Sequence, residues 1–201
     1  HVSSIPNHQT LRETPISTRY EVAAFGILGY ELDICRLRAD ELEDIQEQIR
    51  HYKKLRNWIM DADLYRIQTG ENGHYCLMEV SKDQLTGAVM TLQELLQPGS
   101  PIRILKTRGL KDNALYHLVS RPAMMNVKPM KGRFASLSSD DPAAGFVRMP
   151  RETEDYTLYG DLLNHGGIRL KSDFNGHNLD EDTRYYIDYS TRFYDIELVK
   201  E

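Results

Sequence analysis

Cysteine is scarce in this sequence, which excludes a fold held together by disulfide bonds. Only two cysteines, Cys35 and Cys76, occur among the 201 residues. Two isolated thiols form neither a disulfide framework nor a zinc knuckle, and the seven histidines show no HExxH motif or paired spacing. We therefore expect no metal site and no cofactor, and the low cysteine content favours a reducing compartment such as the cytoplasm.

A surplus of basic residues and long apolar runs are also missing. The chain carries 25 Lys and Arg residues against 30 Asp and Glu residues, a net charge of −5, so we expect neither nucleic acid nor an anionic membrane as a partner. No apolar run approaches the roughly 20 residues that a membrane helix requires. The start of the chain lacks the basic and apolar regions of a signal peptide, and the missing initiator Met suggests processing or truncation.

The composition is typical of a globular protein, with 40% hydrophobic and 27% charged residues. Near the start, Thr18 and Glu21 have the spacing of a capping box, which predicts a helix that ends at Gly26 or Gly29. The segment Gly29–Ile34 then alternates like a strand.

A second capping-box pair, Asp40 and Glu43, precedes the clearest helix, which we expect to end near Asp61. Its apolar residues recur every three or four positions: Leu42, Ile45, Ile49, Tyr52, Leu55 and Ile59. Helices that alternate with a strand indicate an α/β architecture with a parallel sheet. One strand cannot form a sheet, so this region is incomplete by itself, and its helices need a surface to cover.

From Leu64 the pattern changes to short runs of β-branched and aromatic residues, which predict an antiparallel β-sandwich. The range 118–156 lacks a clear period, and we interpret it as a long loop or an inserted segment. The predicted strands are Leu64–Ile67, His74–Val80, Ala88–Leu96, Ile102–Thr107, Leu115–Val119, Tyr156–Leu158, Ile168–Leu170, Tyr185–Tyr189 and Arg192–Val199.

Several short motifs together resemble the α-galactosidases of glycoside hydrolase family 36. The likeness is strongest over residues 1–67 and weaker afterwards. The matching segments are His1–Ser3, Pro6–Gln9, Thr18-Arg19, Phe25–Asp33, Asp63–Ile67, Leu105–Tyr116 and Tyr159–Leu163.

The resemblance implies a layout and an activity. Residues 1–62 would be the last βα units of a catalytic (β/α)8 TIM barrel, and residues 63–201 a C-terminal β-sandwich domain. The parent protein would be a retaining α-galactosidase that binds α-galactosides through the rest of the barrel and forms a homo-oligomer. The alternative is a carbohydrate-binding or purely structural β-sandwich module of a glycosidase.

Catalysis in the family uses two carboxylates, one as nucleophile and one as acid/base. The resemblance places them in a Lys-Trp-Asp and a Ser-Asp-x-x-Asp segment, and this chain contains neither. Its single Trp, Trp58, follows Asn57 late in the long helix. We therefore assign no catalytic residue and expect the 201-residue chain alone to be inactive; the residues that bind substrate stay unknown.

Other polar residues could have either a structural role or a role at the active site. Glu31 and Asp33 would share one face of a barrel strand near an active-site mouth, although we favour structural hydrogen bonds and ion pairs for them. The same preference holds for His1, Ser3 and His8, which could also lie on the substrate side. A self-sufficient enzyme that uses Glu31 or Asp33 is the least favoured hypothesis.

The remaining motifs favour ordinary structure. Asp140 and Asp141 are interpreted as loop charges, and Asp173–Asp182 as a hairpin connection rather than a calcium loop, because the glycine and the closing Glu do not fit. The Gly26/Gly29 and Gly166/Gly167 pairs are interpreted as turns or helix ends. Four tyrosines near the end of the chain are expected to pack in the core rather than to stack on sugars: Tyr185, Tyr186, Tyr189 and Tyr194.

Overall fold

The computed structural model of the protein describes residues 1–69, 73–95, 103–127, 147–170 and 188–200. Two α-helices lie in these ranges, α1 (Ile16–Ala23) and α2 (Ala39–Leu55). The strands are β1 (Val2–Ser3), β2 (Tyr30–Glu31), β3 (Asp63–Ile67), β4 (His74–Val80), β5 (Thr86–Gln93), β6 (Ile104–Leu105), β7 (Leu115–Ser120), β8 (Met124–Val127), β9 (Val147–Pro150), β10 (Asp155–Tyr159), β11 (Ile168–Arg169) and β12 (Ser190–Lys200).

The first helix begins earlier than its predicted cap. α1 starts at Ile16, directly after Pro15, whose φ of −53° is already suited to a helix. Thr18 therefore lies inside the first turns, and the predicted Thr18–Glu21 capping box is wrong.

The second helix also begins before its predicted cap. α2 starts at Ala39, and the Glu41 carboxylate accepts a hydrogen bond from the backbone N–H of Arg38 at 3.1 Å. The Asp40–Glu43 capping box is therefore wrong by two residues, since Asp40 instead pairs with the Arg38 guanidinium at 2.8 Å. The helix ends at Leu55 and a 3-10 turn follows.

The first segment of the chain is a βαβ unit followed by α2. β1 and β2 are parallel, with Ser3 opposite Glu31, and a parallel pair requires a crossover such as α1 between them. The predicted strand Gly29–Ile34 is shorter in the structure, because the Asp33 side chain accepts the Cys35 N–H and opens a 3-10 turn. The predicted alternation of helix and parallel strand is present.

The rest of the described chain is dominated by one antiparallel sheet of six strands, in the order β10-β7-β12-β5-β4-β3. The final strand, β12, is central because it pairs with both β5 and β7. β4 coincides with the predicted strand His74–Val80, which confirms that prediction. Two further pairs, β6 with β11 and β8 with β9, are small antiparallel sheets.

One face of the large sheet forms the main core with a second, smaller layer. Met78, Tyr116 and Tyr194 on this face are fully buried. Leu105 of β6 and Ile168 of β11 pack into the same cluster, so the second layer of the predicted sandwich is largely the β6–β11 pair. Each such side chain stabilises the fold by about 1.5–3 kcal/mol relative to an exposed position.

The opposite face of the large sheet is covered by the helical segment. Tyr20 of α1 and Leu55 of α2 pack with Met90 and Phe193 of the sheet in a second cluster. Alternate residues of β12 thus serve different cores, since Phe193 faces the helices and Tyr194 the β6–β11 layer. The helices expected to need a partner surface therefore have one in the sheet.

The predicted long loop over 118–156 is wrong at both of its ends. β7 continues to Ser120, β8 and β9 pair with Met124 opposite Pro150, and β10 already begins at Asp155. Two strands of four residues are too short to give a periodic signal, which explains the difference. Residues 128–146 lie outside the described ranges. Among the described helices, none has the length and apolar character needed to cross a bilayer.

Candidate functional site at the carboxyl edge of the parallel strands

The two parallel strands end at a common edge, which is where α/β proteins place functional residues. The N–H of Val2 donates to the Gly29 carbonyl at 2.8 Å, and the N–H of Ser4 donates to the Glu31 carbonyl at 3.1 Å. Arg19 of α1 also reaches this edge, because its guanidinium donates to the Ser3 carbonyl. The edge therefore brings Ser3 and Glu31 together.

Both carboxylates at the edge have local partners. Glu31 Oε1 lies 2.6 Å from His1 Nδ1, and Asp33 accepts the Cys35 N–H at 3.0 Å and pairs with Arg36 Nε at 3.2 Å. Since Asp33 belongs to the turn after β2, the prediction that it shares a strand face with Glu31 is wrong. The side chains are 65% and 57% exposed, so these solvated ion pairs suit a structural role.

The Pro-Asn-His-Gln loop after β1 is organised by Asn7. Its side-chain oxygen accepts hydrogen bonds from the N–H groups of Gln9 at 3.0 Å and Thr10 at 3.1 Å, an Asx turn. The peptide bond before Pro6 is cis. His8 is exposed in this turn, whereas His1 contacts Glu31. The structure therefore does not bring these two histidines into one cluster.

A buried charge cluster lies behind the edge, and sequence reasoning missed it. Glu21 of α1 accepts two hydrogen bonds from Arg121, whose Nε and Nη2 lie 3.1 Å and 2.9 Å from Oε1. Arg151 Nη1 lies 3.8 Å from Glu21 Oε2. The exposed fractions of the three side chains are 0%, 5% and 4%. Two guanidinium groups around one buried carboxylate compensate its charge.

A second buried carboxylate, Glu154, directly precedes β10. It pairs with the guanidinium of Arg192 and accepts hydrogen bonds from the hydroxyls of Tyr194 and Tyr156, each at 3.2 Å. Burial lowers the pKa of Arg192 to about 10. These contacts replace the water that the charged groups lose on folding.

A hydrogen-bonded chain connects both helices to the central strand. The Tyr20 hydroxyl lies 2.6 Å from His51 Nδ1, and His51 Nε2 lies 3.0 Å from both carboxylate oxygens of Asp195. Burial raises the pKa of Tyr20 well above its usual value, so the hydroxyl keeps its proton. A pocket of about 240 Å³ opens beside His51 and Asp195 and is also lined by Lys54 and Trp58.

The described tyrosines support packing rather than a sugar platform. Tyr194 is fully buried in the main core. Tyr189 is half-buried, and the Arg12 guanidinium stacks over its ring at 3.8 Å from the centroid. Tyr185 and Tyr186 lie outside the described residues. The signal for Tyr194 was its position in an alternating strand that runs through the middle of the sheet.

Other predicted motifs have plain structural roles or fall in undescribed parts of the chain. Gly167 has a φ of +80° and its N–H donates to the Leu162 carbonyl at 2.7 Å, which ends a helical turn as predicted. Asp140, Asp141 and the range 173–182 lie outside the described residues. Within the described ranges, no group of three metal-binding side chains converges.

Two family models match the chain in consecutive segments. The Melibiase model matches residues 1–62, and the model described as the glycosyl hydrolase family 36 C-terminal domain matches residues 74–194. The second match alone covers more than half of the chain.

The similar proteins found by sequence are named alpha-galactosidases. The chain is 34% identical over 119 residues to the alpha-galactosidase AgaA of Geobacillus stearothermophilus, a match that spans 59% of this chain and 16% of that protein. It is 35% identical over 162 residues to the bifunctional alpha-galactosidase/sucrose kinase AgaSK of Mediterraneibacter gnavus, over 79% of this chain and 16% of that protein. The chain thus spans about one sixth of the length of these relatives.

Solved structures agree in fold. The alpha-galactosidase from Lactobacillus brevis superposes with a TM-score of 0.72 at 27% identity, over 100% of this chain and 22% of that chain. A variant of AgaA from Geobacillus stearothermophilus in complex with raffinose superposes with a TM-score of 0.71 at 24% identity, over 99% of this chain and 21% of that chain.

Proposed function

Because the chain belongs to glycosyl hydrolase family 36, we propose that it is the C-terminal part of an α-galactosidase that hydrolyses terminal α-galactosyl residues. The observation that carries this proposal is the pair of consecutive family matches, over residues 1–62 and 74–194. The relatives named above are alpha-galactosidases, which supports the same activity here.

We propose that residues 1–62 are the last βα units of a (β/α)8 barrel and that residues 63–201 form the C-terminal domain. The parallel pairing of β1 with β2 supports this division, since parallel strands joined by helices are the repeating unit of such a barrel. The antiparallel strand β3 begins at Asp63, which supports a boundary near this residue. The outer edges of β1 and β2 would pair with further barrel strands.

The chemistry of a retaining glycosidase needs a nucleophilic carboxylate and an acid/base carboxylate roughly 5 Å apart. Glu31 and Asp33 do not suit these roles, because each is exposed and engaged in a local ion pair. We therefore propose that both catalytic carboxylates come from other parts of the enzyme. The edge formed by Ser3 and Glu31 would then line one side of the active site.

The test is an assay of the purified 201-residue chain beside the polypeptide that its gene encodes. The substrates are 4-nitrophenyl α-galactoside and, as a control for specificity, 4-nitrophenyl α-glucoside. We expect the encoded polypeptide to hydrolyse the galactoside and the 201-residue chain to release nitrophenol no faster than buffer. Hydrolysis by the isolated chain, abolished in Glu31→Gln, would instead establish catalysis by its own carboxylates.

Two further features stay predictions. Cys35 is exposed as a free thiol and Cys76 is a buried one, which supports a reducing location such as the cytoplasm. A homo-oligomeric state of the encoded polypeptide can be measured by size-exclusion chromatography with light scattering.

A further inference from the structure

Helix α1 carries two neighbouring polar residues that are completely buried. Tyr20 and Glu21 each have 0% exposure, which is unusual for a glutamate on a short helix. The Tyr20 hydroxyl contacts His51, which in turn contacts Asp195 of β12. The Glu21 carboxylate contacts Arg121, the residue that follows β7. Consecutive residues of α1 thus reach the sheet by two separate polar routes.

The Glu21 route ends on the central strand of the sheet. The backbone N–H of Arg121 donates to the carbonyl of Phe193 in β12 at 2.8 Å, so Arg121 is fixed to the centre of the domain. Its guanidinium also lies over the Tyr20 ring, 5.0 Å from the centroid. A shift of Glu21 would therefore break two charge-assisted hydrogen bonds between side chains that are 0% and 5% exposed.

On another side, the same helix touches the end of β1. Arg19 donates to the Ser3 carbonyl and, through Nε, to the Thr14 carbonyl at 3.2 Å. Arg19 and Glu21 are two positions apart and therefore project about 200° apart around the helix. α1 is thus held between the sheet domain, through Glu21, and the carboxyl end of a parallel strand, through Arg19.

We propose that Glu21 is a positioning residue, through which the sheet domain sets the placement of the β1–β2 carboxyl edge. The route runs from β12 through Arg121 to Glu21, along about half a turn of α1 to Arg19, and from Arg19 to Ser3. That this edge borders an active site rests on the proposed function. The mechanical coupling itself does not, because it depends only on contacts within the chain.

The experiment measures amide hydrogen exchange by NMR in the 201-residue chain. Val2 and Ser4 report on the edge, since their N–H groups bond to β2 and its preceding residue, and Val89 reports on the central sheet. Glu21→Gln keeps the size of the side chain but removes its charge. At a temperature where circular dichroism shows the native fold, we expect the Val2 and Ser4 amides to exchange about tenfold faster, with Val89 unchanged.

Three further variants make the result specific. Arg121→Lys keeps the charge but loses the two-nitrogen contact, so it should accelerate the same edge amides to a smaller extent; it decides the matter if Glu21→Gln does not fold. Arg19→Lys should accelerate the edge amides without affecting residues 118–121. Glu47→Gln is the matched control, because Glu47 is 50% exposed in a surface pair with Arg50, and it should change nothing.

The proposal would be overturned if the Val2 and Ser4 amides exchanged at the wild-type rate in both Glu21→Gln and Arg121→Lys. Faster exchange would then be limited to α1 and residues 118–121, and Glu21 would act only locally. If the encoded polypeptide is active, its kcat is measured at a temperature well below its melting transition. There Glu21→Gln should lower kcat, whereas Glu47→Gln should leave kcat unchanged. An encoded polypeptide without α-galactosidase activity, together with a positive exchange result, would remove the proposed function and leave the coupling intact.

Discussion

Glu79 makes the stability of this protein depend on pH in a direction opposite to that of most paired carboxylates. It lies on β4, between Leu64 of β3 and Ala88 of β5 in the strand register. It is 7% exposed, and its Oε2 accepts no hydrogen bond from any residue within the described ranges. Burial raises the pKa of Glu79 to about 7.

The size and sign of the effect follow from proton linkage. In the unfolded chain Glu79 titrates near its ordinary value of 4.5, so between that value and 7 the folded state binds the extra proton. The free energy of unfolding therefore falls as pH rises through this window and is constant above it. A difference of about 2.5 pKa units corresponds to about 3 kcal/mol in total.

The test compares the wild-type chain with Glu79→Gln by urea unfolding from pH 5 to pH 8. Glutamine has nearly the same volume but no charge, so its stability lacks this titration. We expect the variant to gain about 2.5 kcal/mol relative to wild type between the two pH values. Glu197→Gln is the control, because Glu197 is an exposed residue of β12, and its difference from wild type should vary little.

The same difference in stability between Glu79→Gln and wild type at pH 5 and pH 8 would contradict a raised pKa of Glu79. A constant difference would mean that Glu79 is ionised in the folded state at both pH values, with a partner that compensates its burial. A decrease with rising pH would mean that ionised Glu79 stabilises the fold, which is the reverse of the linkage given above.

The remaining predictions concern packing and hydrogen bonding. Phe193→Ala removes a ring that is 1% exposed between helices and sheet, so we expect a loss of about 3–5 kcal/mol in urea unfolding; less than about 1 kcal/mol would contradict the observed packing. Gly160→Ala would place Cβ 2.0 Å from the Lys111 carbonyl oxygen and should lower the melting temperature by several degrees, whereas an unchanged melt would show that this turn yields easily. Tyr194→Phe removes the hydroxyl that donates to Glu154 and should cost about 1–3 kcal/mol; a neutral result would mean that the other contacts of Glu154 suffice.

Local pattern predicted the elements of this fold better than their ends. The alternation in β4 and the helical period of α2 identified both elements, because each buries one face along many residues. The two capping boxes failed, since Pro15 and Arg38 provide entries to the helices that are not visible as Ser/Thr-x-x-Glu spacings. β8 and β9 were missed because four residues are too few to show a period.

The partners of the buried charged residues could not be predicted from local sequence patterns. Glu21 looked like a capping residue because only its distance to Thr18 is visible in the sequence. Its actual partner, Arg121, is 100 positions away and adjoins α1 because β12, the last strand, is placed between β5 and β7. Strand order of this kind follows from packing across the whole domain, and local spacing carries no information about it.

The sequence by itself determined the class of each segment, the motifs that resemble family 36 and the absence of Lys-Trp-Asp and Ser-Asp-x-x-Asp segments. Those properties are local, since they depend on which residues stand next to one another. Only the tertiary structure decided that the helices cover one face of the sheet, that Glu31 and Asp33 are held in separate ion pairs, and that Glu21 joins the two parts of the chain. Burial and long-range partners create these features, and both arise when distant segments pack together.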